Sequence, residues 1–191
     1  MIEDWGLSVV VAALAPALAY AAQRAIEVIL RNREKELVVS KEGKAPEILV
    51  VEANSSNRQV RSIVRSALAY EEKIDHLLSR IAEMQHLHYT ADARSVDFVI
   101  DLPNSEEKIA VEVKLNLNRL GKDDIERYMS AVENIKHLLL ISSRDAPPST
   151  REALDPYLKS GKLTLLTVPP DSESMDEVSN AIARAKAASG V

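Results

Sequence analysis

Asp97, Glu112 and Lys114 are the residues of this chain whose types and spacing could do chemistry, and all three lie within "SVDFVIDLPNSEEKIAVEVKLNLN", Ser95 to Asn118. That stretch otherwise reads as two apolar strands, where a charge is costly unless it is paired or bound to a metal. Alternate side chains of a strand share a face. Ile109, Val111, Val113 and Leu115 therefore point one way, and Ala110, Glu112, Lys114 and Asn116 the other. Asp97 shares a face with Val99 and Asp101. If "PNSEE" reverses the chain in an antiparallel hairpin, Asp101 lies near the turn and Asp97 lies across from Glu112 and Lys114. Two carboxylates converging on one spot repel unless a proton or a cation sits between them. Mg²⁺ suits such a pair because it prefers oxygen ligands and accepts a few carboxylates plus waters. Lys114 beside it could orient or help deprotonate a water, or neutralise charge developing on a phosphoryl group. The plainer reading is an ion pair on a half-exposed sheet, with Lys114 balancing Glu112 and Asp97 unrelated.

The elements that must position these residues can be read from periodicity. "ELVVS" and "EILVVEA", separated by the Gly43 and Pro46 region, predict two short strands joined by a turn. "NSSNRQVRSIVRSALAYEEKIDHLLSRIAEMQ" opens on capping residues and places Val60, Ile63, Val64, Ala67, Leu68, Tyr70, Ile74, Leu77, Leu78 and Ile81 at helical intervals. It is one long amphipathic helix, or two with a bend. Then come the two strands of the acidic stretch, a helix at "KDDIERYMSAVENI", a strand at "KHLLLISS", a helix at "PSTREALDPYLKSG" and a strand at "KLTLLTV". The order implies an α/β sandwich around a mixed sheet. "VPPDSES" turns the chain into a terminal helix, "SMDEVSNAIARAKAA", which either covers the sheet or hangs free.

Composition narrows the function classes. At 191 residues, 46% apolar and 28% charged, the chain can bury one full core plus a small appendage. A net charge of −5 argues against coating nucleic acid by bulk electrostatics, though not against a local basic face. With no cysteine, disulfides and thiolate metal sites are excluded; with 4% aromatics, few platforms exist for stacking unwound bases. Trp5 to Ala22 carries no charge, near the lower length limit for a membrane span, but it is Ala-rich and holds Pro16. It reads as a membrane anchor or as a soluble apolar helix. Glu3 and Asp4 before it, and Arg24, Arg31, Arg33 and Lys35 after it, would leave the rest of the chain cytoplasmic, anchored to the inner face of the membrane. No positive region precedes the run, which argues against a cleaved signal peptide. Helical character continues through "QRAIEVILRNREKE".

"SVDFVID" followed by "IAVEVK" resembles the signature of the PD-(D/E)xK nucleases, the restriction-endonuclease-like fold, with Asp97, Glu112 and Lys114 in its three positions. The resemblance covers roughly residues 67–168. It implies an α/β fold with an αβββαβ core, a mixed central sheet flanked by helices, here preceded by an apolar N-terminal helix and a short β-hairpin. In these terms the chain divides into 1–35 (apolar helix and candidate anchor), 36–55 (strand pair or linker), 56–170 (nuclease-like core) and 171–191 (C-terminal helix). "AYEEKIDHLL" is similar to the family's first-helix pattern, making Glu71 a fourth catalytic candidate, with Glu72 as the alternative register. The resemblance further implies Mg²⁺, with Mn²⁺ as substitute, held by Asp97, Glu112 and the backbone carbonyl near Val113, while Lys114 activates water and Glu71 binds metal or orients water. The implied partner is nucleic acid, DNA ahead of RNA, with homodimerisation and a membrane contact through residues 5–22 as further expectations. Two departures stand out. Val96 precedes Asp97 where the family's proline would stand, and Tyr128 follows E-x-K without the Gln that accompanies it in some members, so its helix stays outside the expected catalytic set.

Other motifs carry less. His86 and His88 lack a third metal ligand at a recognisable spacing. His76 and His137 read as packed or surface groups. Ser142, Ser143 and Asp145 have neither a nucleophile elbow nor a motif histidine, which excludes a hydrolase triad. Arg58, Arg61 and Arg65 form a stripe that either meets phosphates or is a solvated face. Two function classes remain: a metal-dependent nuclease, which with a membrane anchor would suit a bacterial defence or DNA-processing system, and a catalytically inactive module of the same fold acting in partner binding or membrane-associated assembly.

Overall fold

The computed structural model describes residues 34–39, 47–52, 54–91, 96–118, 120–172 and 174–188. The expected apolar helix before residue 34 lies outside them. Among the described residues, no helix is long and apolar enough to cross a membrane.

The predicted hairpin forms from β1 (Glu34–Val39) and β2 (Glu47–Glu52), antiparallel, with Glu34 opposite Glu52 and Val39 opposite Glu47. One expectation is corrected here: Glu34 and Lys35 belong to this strand and not to the preceding helical run. Each gains a ladder partner on β2, and such pairing overrides a weak local helix preference.

Helix α1 (Asn57–Gln85) is single and unbroken. Its start is set by a capping box: Ser56 Oγ accepts the Gln59 N–H at 3.3 Å, and Gln59 Oε1 accepts the Ser56 N–H at 2.7 Å. Its end is set by His86, left-handed at φ 53°, after which the Leu87 N–H returns to the Ala82 carbonyl at 2.9 Å. So His86 is the C-terminal cap of this helix.

The central sheet has the strand order β3 (His88–Ala91), β4 (Phe98–Asp101), β5 (Lys108–Lys114), β6 (Ile135–Ser142) and β7 (Leu163–Thr167). β3 and β4, and β4 and β5, pair antiparallel; β5, β6 and β7 are parallel, connected by α2 (Lys122–Met129) and α3 (Pro148–Lys159). The architecture is thus α/β with an open, mixed sheet flanked by helices. Strand β3 was not separated in the element count from sequence, because "HYTA" is short and three of its four residues are exposed.

Two apolar layers follow from strand alternation. On one face Ile109, Val111 and Val113 pack with Tyr70, Ile74, Leu78 and Ile81 of α1 and with Val178, Ile182 and Ala185 of α4 (Met175–Ala188). The terminal helix therefore covers the sheet. On the other face Val99, Ala110, Leu138 and Leu140 pack under Ile125 and Tyr128 of α2 and Leu154 of α3.

The segment leading to α4 is fastened to α1. Tyr70 donates its hydroxyl to the Val168 carbonyl at 2.8 Å, and Lys73 Nζ donates to the carbonyls of Pro169, Pro170 and Ser172 at 3.0, 2.7 and 2.5 Å. An ammonium has three donors, so this loop satisfies all of them. Lys73→Met is expected to lower the unfolding free energy by about 1–2 kcal/mol, the bonds being partly solvated, and to lower Tm by roughly 2–8 °C in a thermal melt.

Candidate functional site

The antiparallel register of β4 and β5 pairs Val99 with Ala110 and Phe98 with Val111. One step further along this register, Asp97 stands opposite Glu112, on the face that carries Val99 and Ala110. The backbone ladder stops at Phe98, and side chains continue it. Asp97 Oδ2 accepts the Val113 N–H at 2.8 Å, and Glu112 Oε2 accepts the Asp97 N–H at 3.2 Å. Glu112 Oε1 meets Lys114 Nζ at 2.7 Å. The structure therefore brings three of the four sequence-predicted residues to one place.

Burial gives this cluster its electrostatic character. Glu112 is 4% exposed, and desolvation pushes its carboxyl above the usual range despite the opposing pull of Lys114. Asp97 is pushed up to about 7, first by burial and then by the negative charge of Glu112, with Lys114 acting in the other direction. Each acid is therefore hard to ionise while the other is ionised beside it. A divalent cation relieves that repulsion, and the donor set suits a hard one: two carboxylates and one peptide carbonyl. The carbonyl is that of Val113. The N–H and C=O of an extended residue point to the same side, so this oxygen faces the side on which Asp97 takes the Val113 N–H, whereas the Lys114 carbonyl accepts from Ser143 on the β6 side at 3.3 Å. As the side chains stand, no group of three His, Asp or Glu residues among the described residues is gathered closely enough to hold a metal.

Glu71 is placed differently. It is half-buried on α1, the helix that covers the face opposite Glu112, and its charge adds to the upward push on Asp97. Glu72, the alternative register, is exposed.

Tyr128, left outside the expected catalytic set, belongs to the site. Ile125 and Tyr128 are the buried residues of α2, and the interaction of the Tyr128 hydroxyl with Glu112 favours the charged form of that carboxyl. Burial and the Glu112 charge push the phenol well above its ordinary pKa, so it is a donor. Behind it, Arg127 Nη2 lies 3.4 Å from the Tyr128 hydroxyl and 2.8 Å from Asp124 Oδ1. The helix itself is started by Asp124, whose Oδ2 accepts the Gly121 N–H at 3.0 Å. A signal was available in sequence: a tyrosine three residues after Ile125 on the apolar side of a short helix must bring its hydroxyl to a buried partner. Tyr128→Phe is expected to raise the Glu112 carboxyl further. In a nuclease this moves the acid limb of the pH–rate profile upward, with a drop in rate of about tenfold at neutral pH.

A second omission is Tyr89 on β3. Its ring stacks on Phe98 with centroids 5.6 Å apart, and its hydroxyl donates to Asp75 of α1. Burial, then Asp75, Asp97 and Glu71, hold this phenol protonated. Tyr89 thus ties α1 to the strand edge next to Asp97.

The remaining candidates disperse. His88 lies at the other end of β4, with Nδ1 2.5 Å from Asp101 Oδ2, while Lys108 takes Asp101 Oδ1 at 3.1 Å. His137 is buried against Thr164 at 2.9 Å, and burial pushes its pKa down. Ser142 and Ser143 donate to backbone carbonyls of Arg144 and Leu115. No protein-family model, curated protein or solved structure matches this chain.

Proposed function

We propose that the chain is a metal-dependent nuclease of the restriction-endonuclease-like kind, hydrolysing phosphodiester bonds of DNA. The observation that carries this reading is the apposition of Asp97 and Glu112 where the β4–β5 ladder ends, with Lys114 Nζ 2.7 Å from Glu112. Supporting it, the elements from α1 to β6 run helix, three strands, helix, strand, and the acid precedes the second of those strands while E-x-K ends the third. Asp97, Glu112 and the Val113 carbonyl would hold Mg²⁺, or Mn²⁺ in its place. When bound, the ion supplies charge stabilisation at the phosphoryl group and a more acidic water.

The protein's own groups do the rest. Lys114, ion-paired with Glu112, is placed to orient the attacking water and to offset negative charge on the phosphate oxygens. Tyr128, buried on α2, favours the charged form of Glu112. Glu71 reaches the site through the field it exerts on Asp97, in a role of orienting water or tuning that acid. The displacement joins the water oxygen to phosphorus and releases the sugar oxygen.

The competing reading is a catalytically inactive module of the same fold. One observation favours it: both acids accept backbone N–H groups across the strand end and so also hold the sheet together. The test is cleavage of plasmid and linear duplex with Mg²⁺, with EDTA, and with Glu112→Gln. Cleavage that needs Mg²⁺ and Glu112 supports the nuclease; a folded parent chain inert toward DNA and RNA supports the module.

A further inference from the structure

The first ten residues of α1, from Asn57 to Ser66, include no buried residue; burial on this helix begins at Ala67. The segment contains Arg58, Arg61 and Arg65 and no acid, and the first acid of the helix is Glu71. Steps of three and four residues put the three guanidinium groups on one face, with Ser62 and Ser66 exposed alongside it. All three arginines are exposed, and among the described residues none is engaged in an ion pair. In a chain of net charge −5, this is a local reversal of sign.

The geometry points to this stretch as a docking track for the phosphate backbone of duplex DNA, an assignment that rests on the nuclease reading for its choice of polyanion. At 1.5 Å of rise per residue the track is about 10 Å long, enough for its guanidinium groups to meet neighbouring phosphates of one strand. Glu71 follows about 9 Å beyond Arg65 along the same axis. The arginines and Glu71 thus lie along one helix. Guanidinium groups with hydroxyl-bearing neighbours fit phosphate oxygens, and such contacts fix register without reading sequence. An anionic lipid surface is the lesser fit. A helix lying in a membrane interface needs an exposed apolar face, whereas Val60, Ile63 and Val64 are half-buried and a lone exposed Leu68 does not make such a face.

The test is anisotropy of a labelled duplex with the full-length chain in EDTA between about 50 and 200 mM salt, so that binding is read apart from cleavage. Arg58→Gln/Arg61→Gln/Arg65→Gln is expected to weaken binding by about tenfold or more and to reduce the salt slope by about 3, near 0.9 per lost contact, with an unchanged thermal melt. The corresponding triple Lys variant, which keeps the charge, should stay close to the parent. Equal affinity and slope in the Gln variant would overturn the proposal, as would a parent that does not bind duplex at all. So would a Gln variant that keeps duplex binding but loses binding to phosphatidylserine vesicles. A parent that binds through these arginines yet never cleaves would sink the nuclease reading and leave this one standing.

Discussion

Lys114→Ala is expected to lower the rate of Mg²⁺-dependent duplex cleavage by about 10²–10³-fold while leaving Mg²⁺ binding within a few-fold of the parent. The two readouts separate because Lys114 touches Glu112 without being an oxygen ligand itself. Its loss removes the cation that faces the phosphate oxygens, an effect on the transition state and not on the bound ion. Glu112→Ala should lose both, since it removes a ligand and the anchor of Lys114. Cleavage assays over a Mg²⁺ titration distinguish the cases by their saturation level and midpoint. Equal cleavage by Lys114→Ala and parent would exclude the proposed role. A stability control is needed, because taking away one member of a buried ion pair costs about 3–5 kcal/mol.

The second large effect is on stability against pH in the metal-free protein. The Asp97 carboxyl stands at about 7 in the folded chain against 3.8 unfolded. Between these values the folded state holds a proton that the unfolded state has released, so unfolding becomes easier as pH rises. The stability contribution is fully present below about pH 4 and is lost as pH climbs through 7. Because Asp97 keeps some solvent contact, the expected loss is about 2–4 kcal/mol over that window. Asp97→Asn should flatten this slope, and Mg²⁺ should restore stability at pH 8 by binding the ionised pair. Urea midpoints at pH 4.5, 6 and 8, with and without Mg²⁺, read this directly. A parent whose stability rises from pH 4.5 to 8 in EDTA would contradict the burial and mutual repulsion assigned to Asp97 and Glu112.

Much of this arrangement was legible in residue types. The two-residue period of "IAVEVK" put Glu112 and Lys114 on one face, and the turn residues "PNSEE" set a hairpin whose register faces Asp97 to Glu112. Both follow from local geometry, which sequence encodes strongly. The helical period of Asn57–Gln85 was legible too, its ends marked by the capping residues and the change of pattern at His86, but whether it was one helix or two was not. What was harder to read depends on contacts between distant segments. Tyr128 sits 16 residues beyond Glu112 and reaches it only because α2 folds back over the sheet. Tyr89 and Asp75 meet across the α1–β3 turn, and nothing in "HYTA" announces either the strand or the bond. Glu71 matched a helical pattern, yet its helix covers the face opposite Glu112; a one-dimensional pattern does not encode which side of a sheet a helix takes.

Titration calorimetry of Mg²⁺ into the full-length chain at pH 8, for the parent and for Glu112→Gln, tests most directly whether Asp97 and Glu112 form one metal site. One binding event in the parent, lost in the folded variant, is the predicted result. No Mg²⁺ binding by the folded parent, or the same binding in Glu112→Gln, would contradict it and leave the acids as structural links across the end of the sheet.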